Sequence, residues 1–226
     1  MKTGVLDDFC NLAWKCGDSA TKILVYNESL IPKANKLISE YGDDFSKDIV
    51  EYFKINNEKG VEILIRRATN VKFTPLSEYA DDAFKKSIET TKTKLPSWAQ
   101  KQPNYAYASV DIPGINEKEL FAHSAIQDES TISSIGTGIT YKPKSSPFTY
   151  YNVDGNNIIN TTNWARDVDT EYKILSEISN LLGSNYSVTG KIVLYTEKIS
   201  CISCENVIAE FSETYPNIEL VVIYGG

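Results

Sequence analysis

Two cysteines near the C-terminal end of the 226-residue chain have the spacing of a chemical pair. Cys201 and Cys204 stand three residues apart, between the strand-like run KIVLYTE and the helix-like run ENVIAEF. Unpaired N–H groups and the helix dipole favour thiolates at a helix start, which lowers a cysteine's pKa there. Two such thiols could bind one metal ion, form a redox pair or simply be buried, and the spacing alone leaves all three interpretations open.

A second group of chemically useful side chains begins another predicted helix. Asp169 and Glu171 stand near the start of the helix-like run ARDVDTEYKILSEISNLLG, although acidic residues are favoured in a first helical turn for its dipole alone. The Asp169 carboxylate could complete a three-ligand site with the cysteines, since zinc accepts oxygen as well as sulfur ligands. Glu171 could then move protons between a water molecule and a substrate. We interpret Asp167 as a solvated or capping residue.

The elements that must position these residues follow an α/β order. From Pro96 onward, alternating polarity predicts the hairpin-like strands NYAYASVDI and KELFAHSAI. They are followed by a helix over ARDVDTEYKILSEISNLLG, the strand KIVLYTE, a helix over CISCENVIAEFSETYP and the buried strand IELVVIY. This order predicts an α/β layer fold with a mixed sheet, over residues 96–226.

Residues 1–95 are predicted to form a helical N-terminal region. Apolar residues recur at helical spacing across LIPKANKLISEYGDDFSKDIVEYFKINNEKGVEILIRRA, and Gly42 and Gly60 stand where helices would end. This half has no glycine-rich phosphate loop and no cluster of His, Asp and Glu, so we expect a scaffold. Cys10 and Cys16 lie on different faces of a predicted helix and are expected to be buried thiols.

The composition excludes some functions. Hydrophobic residues make up 42% and charged residues 23% of the chain, as in globular proteins. No apolar run approaches the roughly 20 residues that span a bilayer, and no signal peptide is evident, so we expect no membrane association. The net charge of −7 arises in residues 96–226, which carry 8 basic and 15 acidic side chains. Any contact with nucleic acid would therefore need a local basic patch.

The two helix starts, separated by a strand, resemble a known enzyme signature. Zinc-dependent nucleoside and nucleic-acid deaminases carry H-x-E…P-C-x-x-C in this order. The runs DTEYKIL and GKIVLYTEKISCISCENVIAEFSETYPNIELVV, with the hairpin YAYASVDIPG…FAHSAI, are similar to the deaminase domains of bacterial polymorphic toxins. The resemblance covers about residues 103–224. Asp169 stands where the common signature has His, and Ser200 replaces the proline before the first cysteine.

This resemblance implies a cytidine deaminase-like three-layer α/β sandwich with a mixed five-stranded sheet, preceded by the helical region. It implies Asp169, Cys201 and Cys204 as ligands of Zn²⁺ and Glu171 as the catalytic proton shuttle. The implied reaction is hydrolytic deamination of cytosine in DNA or RNA.

The resemblance also implies a biological setting. The toxin would be secreted as part of a larger polypeptide, act in the target-cell cytoplasm and be neutralised by a cognate immunity protein. Residues 1–95 would be a remnant of the region that joins the toxin to its carrier. A deaminase of free nucleosides or nucleotides, and a non-enzymatic zinc or redox module, stay as alternatives.

The polar segment before the Asp169 helix supplies candidates for substrate binding. Deaminases that act on polymers stack the base on aromatic side chains, and aromatic residues here could do this or cover the sheet edge as minor core. They are Phe148, Tyr150, Tyr151 and Trp164. His123, the only histidine, is a packed residue, a substrate contact or a substitute for Asp169 as ligand. The candidates for phosphate contacts are Lys142, Lys144 and Arg166.

Overall fold

The computed structural model describes residues 11–17, 22–23, 26–102, 104–131, 137–160, 162 and 164–225. Helices α1 to α6 span Leu30–Tyr41, Asp43–Asn70, Asp82–Lys92, Ser97–Gln100, Thr170–Leu182 and Ile202–Thr214. Strands β1 to β5 span Lys72–Pro75, Tyr105–Asp111, Glu119–His123, Gly190–Thr196 and Ile218–Tyr224. None of the described helices combines the length and hydropathy that a bilayer-spanning segment requires.

A five-stranded mixed sheet lies at the centre of the fold, in the order β1-β5-β4-β2-β3. Strands β1, β5 and β4 run parallel, and β2 is antiparallel to both β3 and β4. The central pair β4 and β5 consists of the two most continuous apolar runs, as expected for parallel strands covered on both faces.

The sheet separates two helical layers, as the alternation of side chains along β2 shows. Ala106 and Ala108 face the core shared with α5 and α6, whereas Tyr105 and Tyr107 face the core shared with α3. The helical residues of the first core include Ile174, Ile178, Val207 and Phe211. The predicted three-layer α/β architecture with a mixed five-stranded sheet is confirmed.

One strand of the sheet comes from the region predicted as helical. The strand β1 follows α2 directly and pairs with the end of β5, from Lys72 opposite Val221 to Pro75 opposite Tyr224. Proline is tolerated there because β1 is an edge strand. The boundary at residue 95 stays a prediction, but the sheet draws strands from both sides of it.

Helices α1 and α2 form the predicted helical region, with an apolar core of their own. This core includes Ile31, Leu37, Ile49 and Leu64. Helix α1 ends at Gly42, whose φ of 76° favours glycine. The prediction that a helix also ends at Gly60 is wrong, because α2 continues through it. A Cβ at Gly60 would lie 2.7 Å from the carbonyl oxygen of Tyr52, so glycine permits a close approach there.

Cys16 is a buried thiol within this helical core, as predicted. Burial raises its pKa to about 11, although the charge of Lys15 acts to lower it. A thiol with that pKa is protonated and unreactive at neutral pH. The matching prediction for Cys10 lies outside the described residues.

Candidate metal centre

Asp169 precedes α5 without capping it. Its backbone is extended, with φ of −67° and ψ of 150°, and its carbonyl oxygen accepts a hydrogen bond from Lys173 N. An aspartate at this position normally accepts a bond from an N–H group of the first helical turn. This carboxylate makes no such bond and faces the start of α6 instead.

The start of α6 repeats this arrangement. Cys201 precedes the helix with φ of −73° and ψ of 164°, and its side chain also makes no capping bond. Cys204 lies one turn further on and is 3% exposed. Because α5 and α6 pack side by side on one face of the sheet, their N-terminal ends meet.

Three potential ligand atoms converge between the two helix starts. Asp169 Oδ2 lies 3.4 Å from Cys201 Sγ and 3.3 Å from Cys204 Sγ, and the two sulfur atoms are 3.5 Å apart. Tetrahedral zinc, with bonds of about 2.3 Å to sulfur and 2.0–2.2 Å to oxygen, separates its ligand atoms by about 3.6–3.8 Å. The triangle therefore has nearly the size that one zinc ion requires. The two thiols are free rather than bonded to each other.

Within the part of the chain that the structure describes, no fourth His, Cys, Asp or Glu joins this group. A structural zinc site uses four protein ligands, whereas a catalytic site uses three and keeps one position open. Cys16, one of the residues that could have closed the site, lies instead in the core of α1 and α2. The donor set therefore fits an open site.

The surroundings of Asp169 and Cys204 disfavour the negative charges of these two groups. Burial raises the pKa of Asp169, the charge of Glu171 adds to this effect, and Arg166 opposes it. The pKa of Cys204 is raised by its hydrogen bond with Cys201, by burial and by the nearby carboxylates. This is opposite to the lowering expected at a helix start. A divalent cation would supply the missing positive charge, since metal ligands bind in their deprotonated form.

Glu171 is a buried carboxylate held by three hydroxyl groups. Thr170 Oγ1 donates to Oε2 at 2.9 Å, and Thr196 Oγ1 and Ser200 Oγ donate to Oε1 at 3.1 and 3.0 Å. Glu171 lines a cavity of about 180 Å³ together with the three potential ligands. An acid–base group therefore borders the same space as the ligand triangle.

The rim of this cavity is polar and basic, with one exposed apolar side chain. Its further lining residues include Asn104, Ser124, Arg166, Lys198 and Ile199. Ile199 is 71% exposed, and Lys198 beside it is also exposed. Arg166 is more constrained, because its Nη2 donates to Val153 O at 3.1 Å and its Nη1 lies 3.9 Å from Asp169 Oδ1.

The structure places His123 among packed residues and not in the lining of this cavity. Its ring is fully buried at the end of β3 and lies edge-on to Trp98, with ring centroids 6.0 Å apart. Nδ1 accepts a hydrogen bond from Ala125 N at 3.2 Å, and Nε2 faces the carbonyl oxygen of Gln102 at 3.4 Å. Burial lowers the ring's pKa. This geometry supports the packed-residue alternative over the ligand and substrate-contact roles.

Two of the aromatic candidates lie in apolar clusters. Phe148 is 5% exposed and packs against Phe211, with ring centroids 5.8 Å apart. Tyr151 is half-buried, with Lys59 Nζ 5.7 Å from its ring centroid. Neither side chain is among those that line the cavity. Their positions favour the alternative of minor core.

The remaining candidates lie at the surface. Trp164 is 71% exposed and lies two residues before the rim residue Arg166, so its substrate role stays a prediction. Lys142 forms an ion pair of 2.5 Å with Asp167, whose interpretation as a solvated or capping residue stays a prediction. Lys144 is exposed.

Several residues of the cavity were not predicted as site residues from the sequence. Thr196, Lys198 and Ile199 belong to the run TEKIS, which ends β4 and leads into Cys201. Their position immediately before the first cysteine is the signal that could have identified them. Ser200 was noted only as a departure from the deaminase signature.

The fold and the site together define a class of protein. A mixed sheet between helical layers, with a carboxylate-x-Glu helix start beside a Cys-x-x-Cys helix start, is the arrangement of a deaminase-like fold. Residues 88–225 match a family of toxin deaminases, described as the BURPS668_1122 family of deaminases. The chain belongs to this family and is therefore a hydrolytic deaminase toxin. No curated protein and no solved structure is significantly similar to the chain.

Proposed function

We propose that the protein is a zinc-dependent deaminase toxin that acts on cytosine in DNA or RNA. The observation that carries this proposal is the triangle of Asp169 Oδ2 with the sulfur atoms of Cys201 and Cys204, beside Glu171 in one cavity. Hydrolytic deamination needs an acid–base group next to a three-ligand metal site.

Asp169, Cys201 and Cys204 are the residues that hold the zinc ion in this proposal. The ion, when bound, supplies a Lewis acid that activates a water molecule for attack on the base. The chain would hold the ion through two sulfur atoms and one carboxylate oxygen from the starts of two packed helices, and no fourth His, Cys, Asp or Glu joins them in the described residues.

Glu171 moves protons between water and base. The water oxygen adds to C4 of cytosine, the bond from C4 to the amino nitrogen breaks, and ammonia leaves with the protons that Glu171 has transferred. Cytosine and water thus give uracil and ammonia. The hydroxyl groups of Thr196 and Ser200 can hold the glutamate in either protonation state, because a hydroxyl both donates and accepts hydrogen bonds.

The cavity favours a nucleobase over a larger ligand. Its volume of about 180 Å³ is below the roughly 300–1,000 Å³ of pockets that enclose drug-sized molecules, so sugar and phosphate would stay at the rim. Lys198 provides an exposed cation there, and Ile199 provides exposed apolar surface for a neighbouring base. Such a rim suits a polynucleotide better than a free nucleoside, which has no neighbouring bases.

The purified protein and its Glu171→Gln variant test this proposal. Both are supplied with zinc and incubated with single-stranded DNA, duplex DNA, RNA or free cytidine, and uracil and bound zinc are quantified. We expect one zinc per chain in both proteins, and uracil only from the wild type acting on a polynucleotide. Turnover of free cytidine alone would end the nucleic-acid claim. Deamination by zinc-free protein would end the metal claim.

The biological setting is tested in cells. We propose that the protein is delivered as part of a larger toxin into the cytoplasm of a target cell, and that an immunity protein protects the producer. Expression in cells without that protein should cause C-to-T changes in sequenced genomes or transcripts, and the Glu171→Gln variant should cause none. A-to-G changes would instead assign the base as adenine.

A further inference from the structure

The first turn of α6 is capped from outside the helix. The side chain of Cys201 makes no capping bond, and a helix start leaves N–H groups without an intrahelical acceptor. One of these groups, Ile202 N, donates to Asn157 Oδ1 at 2.8 Å. Asn157 therefore supplies, from outside the helix, an acceptor for one N–H group of the first turn, while the Cys201 thiol faces Asp169.

Asn157 is itself held by Asn56 of α2. Asn157 has φ of 64°, a left-handed conformation that asparagine adopts more readily than most residues. The side-chain amide of Asn56 donates to Asn157 O at 2.9 Å, and its Oδ1 accepts from Ile159 N at 2.8 Å. One side chain thus bonds the backbone on both sides of Ile158 and fixes the turn.

Asn56 reaches this turn from a kink in α2. Asn56 and Asn57 depart from helical geometry, with φ of −129° and 53°. The side chain of Asn56 is 8% exposed, so water competes little for its two hydrogen bonds.

The rest of α2 is fixed along α6. Tyr52 Oη lies 2.8 and 2.9 Å from the carboxylate oxygens of Glu205. Arg66 Nη1 donates to Asn206 Oδ1 at 3.1 Å, and its Nη2 pairs with Glu213 at 2.5 Å. A change in the position of α2 would therefore be transmitted to α6.

We propose that α2 is a working part of the deaminase site and not merely a linker. Through Asn56 and Asn157 it sets the position of the first turn of α6, and hence of Cys201 relative to Asp169. This inference rests on the proposed function, because it takes the zinc ion from there. Residues 43–70 lie outside the segment 88–225 that matches the family, so the site is completed by a part of the chain that the family match does not cover.

Zinc affinity of full-length variants provides the first test. Groups that orient metal ligands typically contribute 10–100-fold to affinity, so Asn157→Ala should weaken zinc binding about tenfold in competition with a chelator. Asn157→Asp should restore it, because a carboxylate accepts the bond from Ile202 N. Asn156→Ala, at an exposed position of the same turn, is the matched control and should bind like wild type. Undiminished affinity in Asn157→Ala, or no recovery in Asn157→Asp, would overturn the inference.

Amide hydrogen exchange in the metal-free protein provides the second test. Asn56→Ala and Asn157→Ala should each speed exchange at Ile202 about fivefold, while sheet amides such as Leu194 keep their wild-type rates. Unchanged exchange at Ile202, or equal loss of protection across the sheet, would count against a specific positioning role. Wild-type protein that binds no zinc would end the proposed function, whereas this test would still decide whether α2 positions α6.

Discussion

Glu171 and Glu205 are both buried glutamates in the first turn of a helix, 5% and 4% exposed. The hydrogen-bond donors to Glu171 in the described residues are three hydroxyl groups from α5, β4 and the loop before α6. Glu205 meets the hydroxyl group of Tyr52 and the guanidinium group of Arg67, whose Nε lies 3.5 Å from Oε2. Both of these partners belong to α2.

The difference lies in the partners among the described residues, hydroxyl groups alone for Glu171 and a hydroxyl group with a cation for Glu205. Hydroxyl groups can turn to donate or accept, so they can bond a carboxylate or a carboxylic acid at the position of Glu171. A cation favours the charged form. Burial raises the pKa of Glu205, while Arg67 and Tyr52 oppose that effect. The partners of Glu171 suit the proton shuttle that we propose, whereas those of Glu205 join α6 to α2.

Glu171→Gln should have the largest effect on activity. The amide preserves the shape of the side chain but cannot transfer protons, and such groups contribute about 10²–10⁴-fold to rate. Ammonia release should fall by this factor, while the melting temperature stays near that of wild type. A loss below tenfold would break the distinction between the two glutamates.

Glu205→Gln should have the opposite balance of effects, lowering stability more than activity. Removing the charge leaves Arg67 partly buried beside a neutral amide, and an uncompensated buried partner costs about 1–3 kcal/mol. Chemical denaturation should show this loss in the free energy of unfolding. The loss of rate should be smaller than for Glu171→Gln, and a comparable or larger loss would contradict the comparison.

Tyr52→Phe should weaken the contact between α2 and α6 by less than Glu205→Gln does. It removes one hydroxyl donor from a carboxylate that keeps its ion pair with Arg67, a change of about 1 kcal/mol in the free energy of unfolding. Combined with Glu205→Gln, the effects should not add, because the two side chains are in contact and such pairs couple by about 0.5–3 kcal/mol. Strict additivity would show that the Tyr52 hydroxyl group does not couple to the charge of Glu205.

Local patterns explain what could be predicted from the sequence. The periods of α5, α6, β4 and β5 are continuous over several residues, so element type and order were evident. The pairing of Asp169 with the cysteines came from the deaminase resemblance, and the side-by-side packing of two helices explains why it holds. Gly60 was misassigned because a glycine that permits close packing has the same appearance in a sequence as one that ends a helix.

Long-range contacts explain what could not be predicted. The strand β1 has four residues and pairs with residues 221–224, so no local alternation identifies it. Asn56 and Asn157 are polar residues that belong to no periodic sequence pattern, and their hydrogen bond joins positions 101 residues apart. Phe148 and Trp164 occupy the same irregular segment, yet one is in the core and the other at the surface. Ser200 was seen only as a missing proline, although its hydroxyl group bonds Glu171.

Ser200→Ala should have the smallest effect. It gives the sharpest test of the role of the hydroxyl groups that bond Glu171. Ser200 Oγ donates to Glu171 Oε1 at 3.0 Å, and Thr196 supplies a second donor to the same oxygen. Loss of one of two neutral donors corresponds to about 0.5–1.5 kcal/mol, or roughly 2–10-fold in rate. Because the hydroxyl acts on the proton shuttle, kcat should fall while KM and bound zinc stay unchanged. In a Glu171→Gln background the same substitution should have no further effect on rate, since no shuttle is left to hold. A rise in KM instead would show that Ser200 contacts the substrate rather than Glu171.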